Sequence, residues 1–83
     1  MHVVHETTFK ALCPVNGGVD EYTVMITAST LMLVEDIRKV LDEYASVVDY
    51  QENITQQLAD RLHAVVVTIG KHGDFTTKVN CIG

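Results

Sequence analysis

Two side chains near the start of the sequence have the types and spacing for covalent chemistry. Cys13 stands before Pro14, and Asp20 follows seven residues later, with Asn16-Gly17-Gly18 between them. Asn-Gly-Gly is a strong turn signal, so the chain reverses and brings Asp20 back towards Cys13. A thiol is intrinsically nucleophilic even when little of it is thiolate near neutral pH. A carboxyl beside it can donate or accept the accompanying proton. The pair also has a plain reading, as a buried cysteine and an aspartate that hydrogen-bonds the turn. Glu52 has the same duality. An ionised carboxylate accepts from a planar donor pair on a heterocycle in bidentate fashion, yet Glu52 also lies three residues after Asp49, the spacing of a capping box. Glu35 reads equally as a solvated acid in the first turn of a helix.

The remaining candidates point away from metal chemistry. His2 and His5 are three apart on a strand and so face opposite ways. His63 and His72 are isolated, and there is no Cys-x-x-Cys or His-x-His pair, so no metal site is expected. Lys71, His72 and Lys78 form a small basic patch on the last hairpin, either solvated surface or a phosphate contact.

These side chains need a scaffold, and hydrophobic periodicity supplies one. His2 to Leu12, rich in Val, Thr and Phe, reads as a strand ended by Cys13-Pro14. Glu21 to Thr27 is a second β-rich run, paired back on the first as a hairpin. The period then changes. Leu33, Val34, Ile37, Val40, Leu41, Tyr44, Ala45 and Val48 follow one face of a helix, with acidic and basic residues opposite. Asp49 to Glu52 opens a second helix with Asp49 as N-cap, carrying Ile54, Leu58, Ala59 and Leu62. Val65 to Ile69 is a buried-type strand, Lys71 to Asp74 a turn, and Phe75 to Ile82 the last strand, with Thr77, Val79 and Cys81 on one side. The order ββααββ predicts an α+β fold, a four-stranded antiparallel sheet with two helices on one face, as one domain over residues 1–83.

Composition bounds the function. The chain has 83 residues, 47% apolar and 20% charged, which is globular rather than disordered. A domain of this size buries only ~60% of its unfolded surface, and its other sheet face and sheet edges need cover. A homo-oligomer closing into a barrel is therefore expected. The net charge of −5 argues against a free-standing electrostatic nucleic-acid binder, though not against a nucleic acid held by one inserted base. Two cysteines are too few for a disulfide framework, so a reducing, cytoplasmic setting is expected. No apolar run reaches the ~18 residues of a membrane span, and no signal-peptide plan is present.

Cys13-Pro14, Gly17 and Asp20, followed by an alternating strand, resemble the nucleophile motif of the 7-cyano-7-deazaguanine (nitrile) reductases of the tunnelling, or T-fold, superfamily. The resemblance extends through Val34-Glu35 and Asp49-Tyr50-Gln51-Glu52, and covers Phe9 to Leu62. It implies ββααββ units assembled into multi-subunit barrels with sites between subunits. It implies Cys13 as nucleophile, Asp20 as general acid/base and Glu52 as the residue that holds the deazaguanine edge, with Glu35 and Gln51 also among the substrate-binding residues. The reductases carry a Glu-Ser-Lys-Ser-type NADPH motif where this chain has Glu35-Asp36-Ile37-Arg38-Lys39, and a histidine where it has Gln51. The chain is therefore more similar to the QueF-like amidinotransferases of archaeosine synthesis, which share the Cys and Asp without the NADPH motif.

That resemblance implies a cofactor-free enzyme. Cys13 adds to the nitrile carbon of 7-cyano-7-deazaguanine, within tRNA or DNA, to give a thioimide, and ammonia displaces the sulfur to leave an amidine. Lys10, Lys71 and Lys78 would form a basic rim for the nucleic acid. Two alternatives stay open: an NADPH-dependent nitrile reductase, and a non-catalytic T-fold module that binds a purine or a partner protein.

Overall fold

The computed structural model describes all residues, Met1–Gly83. Strands β1 (Val3–Leu12) and β2 (Val19–Ala28) are followed by helices α1 (Val34–Asp42) and α2 (Gln51–Leu62), then strands β3 (Val65–His72) and β4 (Phe75–Ile82). A short 3₁₀ helix, Glu43–Ser46, separates the two helices. The sheet is antiparallel throughout in the order β1-β2-β3-β4, so the expected α+β, ββααββ unit is present. No helix is long and apolar enough to cross a membrane.

Strand alternation decides which side chains the helices cover. Phe9 and Ala11 of β1, Tyr22, Val24 and Ile26 of β2, and Val66 of β3 are buried on one face. Against them lie Ile37 and Leu41 of α1, Tyr44, and Ile54, Leu58 and Ala59 of α2. The opposite face carries half-buried Met25, Val67 and Ile69. Lys10, Lys71 and Lys78 belong to that open face by register, opposite Glu21, Thr76 and Ile69.

Three expectations are corrected. The first helix does not run to Val48. It ends at Asp42, tightens into the 3₁₀ turn that buries Tyr44, and leaves helical geometry at Val47. The cause is pairing: Leu12 N–H donates to Val47 O at 2.9 Å, and Asp49 N–H donates to Leu12 O at 3.3 Å. Ala45 and Val48, beyond the end of α1, are exposed, as are Leu33 and Val34 at its start. Second, no capping box forms. Tyr50, not Asp49, is the N-cap of α2 and makes no side-chain cap. The Asp49 carboxylate instead accepts from the Tyr50 N–H at 2.7 Å and from Asn53 Nδ2 at 3.0 Å. Third, the last turn is shorter. β3 continues through His72, which pairs with Phe75, leaving Gly73 and Asp74 as the turn. Gly73 takes a positive φ of 66°, which glycine adopts without steric cost.

Candidate active site

Cys13 sits where β1 ends. Its N–H donates to Gly18 O and its carbonyl accepts from Gly17 N–H, both at 2.8 Å. The loop is closed further by Asn16 Oδ1, which accepts from Gly18 N–H at 2.8 Å. Gly17 has a φ of 71°, a left-handed conformation that disfavours residues with a Cβ. The turn returns the chain so that Asp20 pairs with Ala11, on the helix-covered face.

The second helix arrives at the same corner because Val47 and Asp49 are hydrogen-bonded to Leu12, the residue before Cys13. That short parallel bridge sets the start of α2 beside the β1–β2 turn. Cys13, Asp20, Gln51 and Glu52 all line one cavity of about 370 Å³, a volume within the range of small-molecule sites. Glu52 is exposed there and engaged in no cap, so its structural alternative does not apply. Glu35 is not brought to this place. It lines a separate cavity with His5, Val34 and Arg38, and His5 lies eight residues back along β1 from Cys13, roughly 26 Å at strand rise.

Several lining residues escaped sequence reasoning. Tyr22 is buried, and its Oη donates to Asp20 Oδ2 at 3.3 Å. Burial first, and then the Asp20 carboxylate, push the Tyr22 phenol far above its usual pKa; it stays protonated and is available as a donor. Tyr50 and Phe75, exposed aromatics, also line the cavity. So does His72, placed above in a surface patch; it lies on the helix-covered face, opposite to Lys71 and Lys78. The signal was present in the alternation: counting by twos from buried Val66 through Thr68 and Gly70 reaches His72, and counting from Asp20 reaches Tyr22.

Gln51 occupies the floor. It is 2% exposed, and its Nε2 donates to Thr68 Oγ1 and Thr77 O, both at 3.0 Å, with Thr68 O at 3.3 Å. Thr55 Oγ1 donates to Gln51 O at 2.7 Å and lies 2.6 Å from Thr68 Oγ1. No buried side-chain nitrogen or oxygen lacks a partner. Three carboxylates line the cavity, Asp20, Asp49 and Glu52, and His72 is the only basic residue there. No group of three or more His, Cys, Asp or Glu side chains is arranged to hold a metal ion.

The whole chain superposes on a known enzyme structure. The crystal structure of the archaeosine synthase QueF-Like in the apo form matches it with a TM-score of 0.89 at 17% identity, over 99% of this chain and 94% of that one. This chain shares the fold of that synthase. It is the fold implied by the resemblance at Cys13, Asp20 and Glu52. No protein-family model matches the sequence, and no curated protein matches it.

Proposed function

We propose that the protein converts the nitrile of 7-cyano-7-deazaguanine, carried in a nucleic acid, to an amidine with ammonia. The observation that carries this reading is the convergence of Cys13, Asp20 and Glu52 on one cavity. The Cys13 thiolate adds to the nitrile carbon while Asp20 gives its proton to the nitrile nitrogen, forming a thioimide. Tyr22 occupies Oδ2 of Asp20, which leaves Oδ1 to carry that proton. Ammonia then attacks the thioimide carbon, the carbon–sulfur bond breaks, and the electron pair leaves with Cys13. Glu52 accepts hydrogen bonds from the donor edge of the base, and Gln51 forms the floor. Tyr50 and Phe75 offer aromatic faces for stacking. No cofactor takes part.

The three lining carboxylates suit an inserted neutral base and repel phosphate. Lys10, Lys71 and Lys78 stand on the open sheet face, away from the cavity of their own chain, so contacts to the tRNA or DNA backbone at that cavity would come from lysines of other subunits of the homo-oligomer. Binding should weaken as salt rises; salt-independent binding would remove that contact. The working unit is a homo-oligomer, and the free thiol suits a reducing, cytoplasmic setting.

Intact-protein mass spectrometry after mixing with 7-cyano-7-deazaguanine tests the reading. The expected result is a mass gain equal to the ligand, absent in Cys13→Ala, and release of an amidine when ammonium is added. No adduct would leave a binding module. Reduction to an amine with NADPH would make the protein a reductase.

A further inference from the structure

The hydrogen bonds under the cavity run in one direction, and they fix where the proton of His72 sits. Gln51 O is a carbonyl and can only accept, so Thr55 spends its single hydroxyl hydrogen on it. In the 2.6 Å contact between the two threonines, Thr68 must therefore be the donor. Thr68 Oγ1 then accepts from Gln51 Nε2. The same Gln51 nitrogen faces two backbone carbonyls, Thr68 O and Thr77 O. Turning the amide over would set its oxygen against acceptors only. The orientation is thus determined, and Gln51 Oε1 faces His72 Nε2 at 2.7 Å. His72 Nε2 must carry a hydrogen. In the neutral ring, Nδ1 keeps the lone pair.

We infer that His72 takes the proton from ammonium, delivering ammonia to the thioimide on Cys13. This rests on the amidine-forming reaction proposed above and assigns its second proton-transfer group. His72 is solvent-exposed and is the only basic side chain lining the cavity that also holds Cys13 and Asp20. Its ring centroid is 6.3 Å from that of Tyr22, whose hydroxyl meets Asp20. Near neutral pH ammonia is present as ammonium, which has no lone pair and cannot attack. Transfer of one proton to His72 Nδ1 frees ammonia. Its lone pair forms the new carbon–nitrogen bond, the carbon–sulfur pair returns to Cys13 as thiolate, and the product leaves as the amidinium. Asp20 has by then given its proton to the nitrile nitrogen, and the proton on His72 restores it. Nitrile plus ammonium sums to amidinium, and both side chains end as they began.

The test uses the full chain with His72→Gln, whose side-chain amide keeps a donor for Gln51 and lacks the lone-pair nitrogen. Adduct formation with 7-cyano-7-deazaguanine should match the unsubstituted protein, which shows that the cavity is intact. Amidine release with ammonium should fall by about 10²-fold or more, the scale of general-base catalysis. Hydroxylamine, a nucleophile already neutral near pH 7, should release the adduct as an amidoxime at equal rates from both proteins. Equal rates with ammonium, or equal losses with both nucleophiles, would overturn the role of His72. Failure of the unsubstituted protein to form any adduct would instead overturn the parent reaction and the inference with it.

Discussion

Cys13 has its backbone pinned at both N–H and carbonyl by the turn it opens, so its thiol is presented by a closed loop at the end of β1. Asp20 is held by strand pairing and by Tyr22. Asp20→Asn retains an acceptor for Tyr22 and removes the proton donor. Adduct formation by that variant should slow by about 10²–10⁴-fold, read by stopped mass spectrometry; an unchanged rate would take Asp20 out of the chemistry. Glu52 acts at a different step. Glu52→Gln loses a charged acceptor worth about 1.5–3 kcal/mol, so affinity for the base should fall roughly ten- to a hundredfold with the rate at saturation little changed. Titration of the base into Cys13→Ala protein measures this without turnover, and undiminished affinity would deny Glu52 its role.

The elements that carry these residues depend on two local devices. Tyr22 lies against Gly70 on the neighbouring strand, and a Cβ at position 70 would stand 2.5 Å from two ring carbons of Tyr22. Gly70→Ala therefore displaces the ring that positions Asp20. Overpacking of this kind costs about 1–3 kcal/mol. Urea denaturation should show the loss, together with slower adduct formation; a wild-type midpoint would mean that the ring has room to move. The start of α2 depends on Asp49. Hydrogen bonds from Asn53 first, then from the Tyr50 N–H, hold its carboxyl below the usual aspartate value. A depressed folded pKa means that this contribution is complete above the unfolded value and is lost as pH falls through the folded one. Asp49→Asn, which accepts but does not titrate, should flatten the acid side of a plot of thermal midpoint against pH. Parallel curves would show that Asp49 has no part in acid sensitivity.

At the scale of the molecule, one face of the sheet is covered by helices and the other is open, with β1 and β4 as unpaired edges. Such edges invite pairing with further chains, and half-buried Met25, Val67 and Ile69 lie between them on the open face. Sedimentation velocity should give an assembly larger than a monomer, and Met25→Asp should shift it towards smaller species. A monomer at all concentrations would count against the proposed oligomer.

Much of the fold was legible because it rests on local chemistry. Alternation across β1 and β2, the Asn16-Gly17-Gly18 reversal and the amphipathic run around Ile37 and Leu41 each follow from nearby residues. The neighbourhood of Cys13 and Asp20 was legible for the same reason, since a single turn joins them. The helix break at Val47 was not, because the partner that draws Val47 away is Leu12, distant in sequence. The cap at Asp49 misled because its carboxylate finds Tyr50 N–H and Asn53 instead. The alternation of β3 reaches His72 once the strand runs past Ile69 to the turn, but the contact of its ring with buried Gln51 joins segments far apart in sequence. The sequence by itself determined which side chains have reactive or recognising chemistry, and the order of strands and helices. Only the tertiary structure decided which of them share a cavity, because that depends on hydrogen bonds between segments far apart along the chain, which no local pattern records.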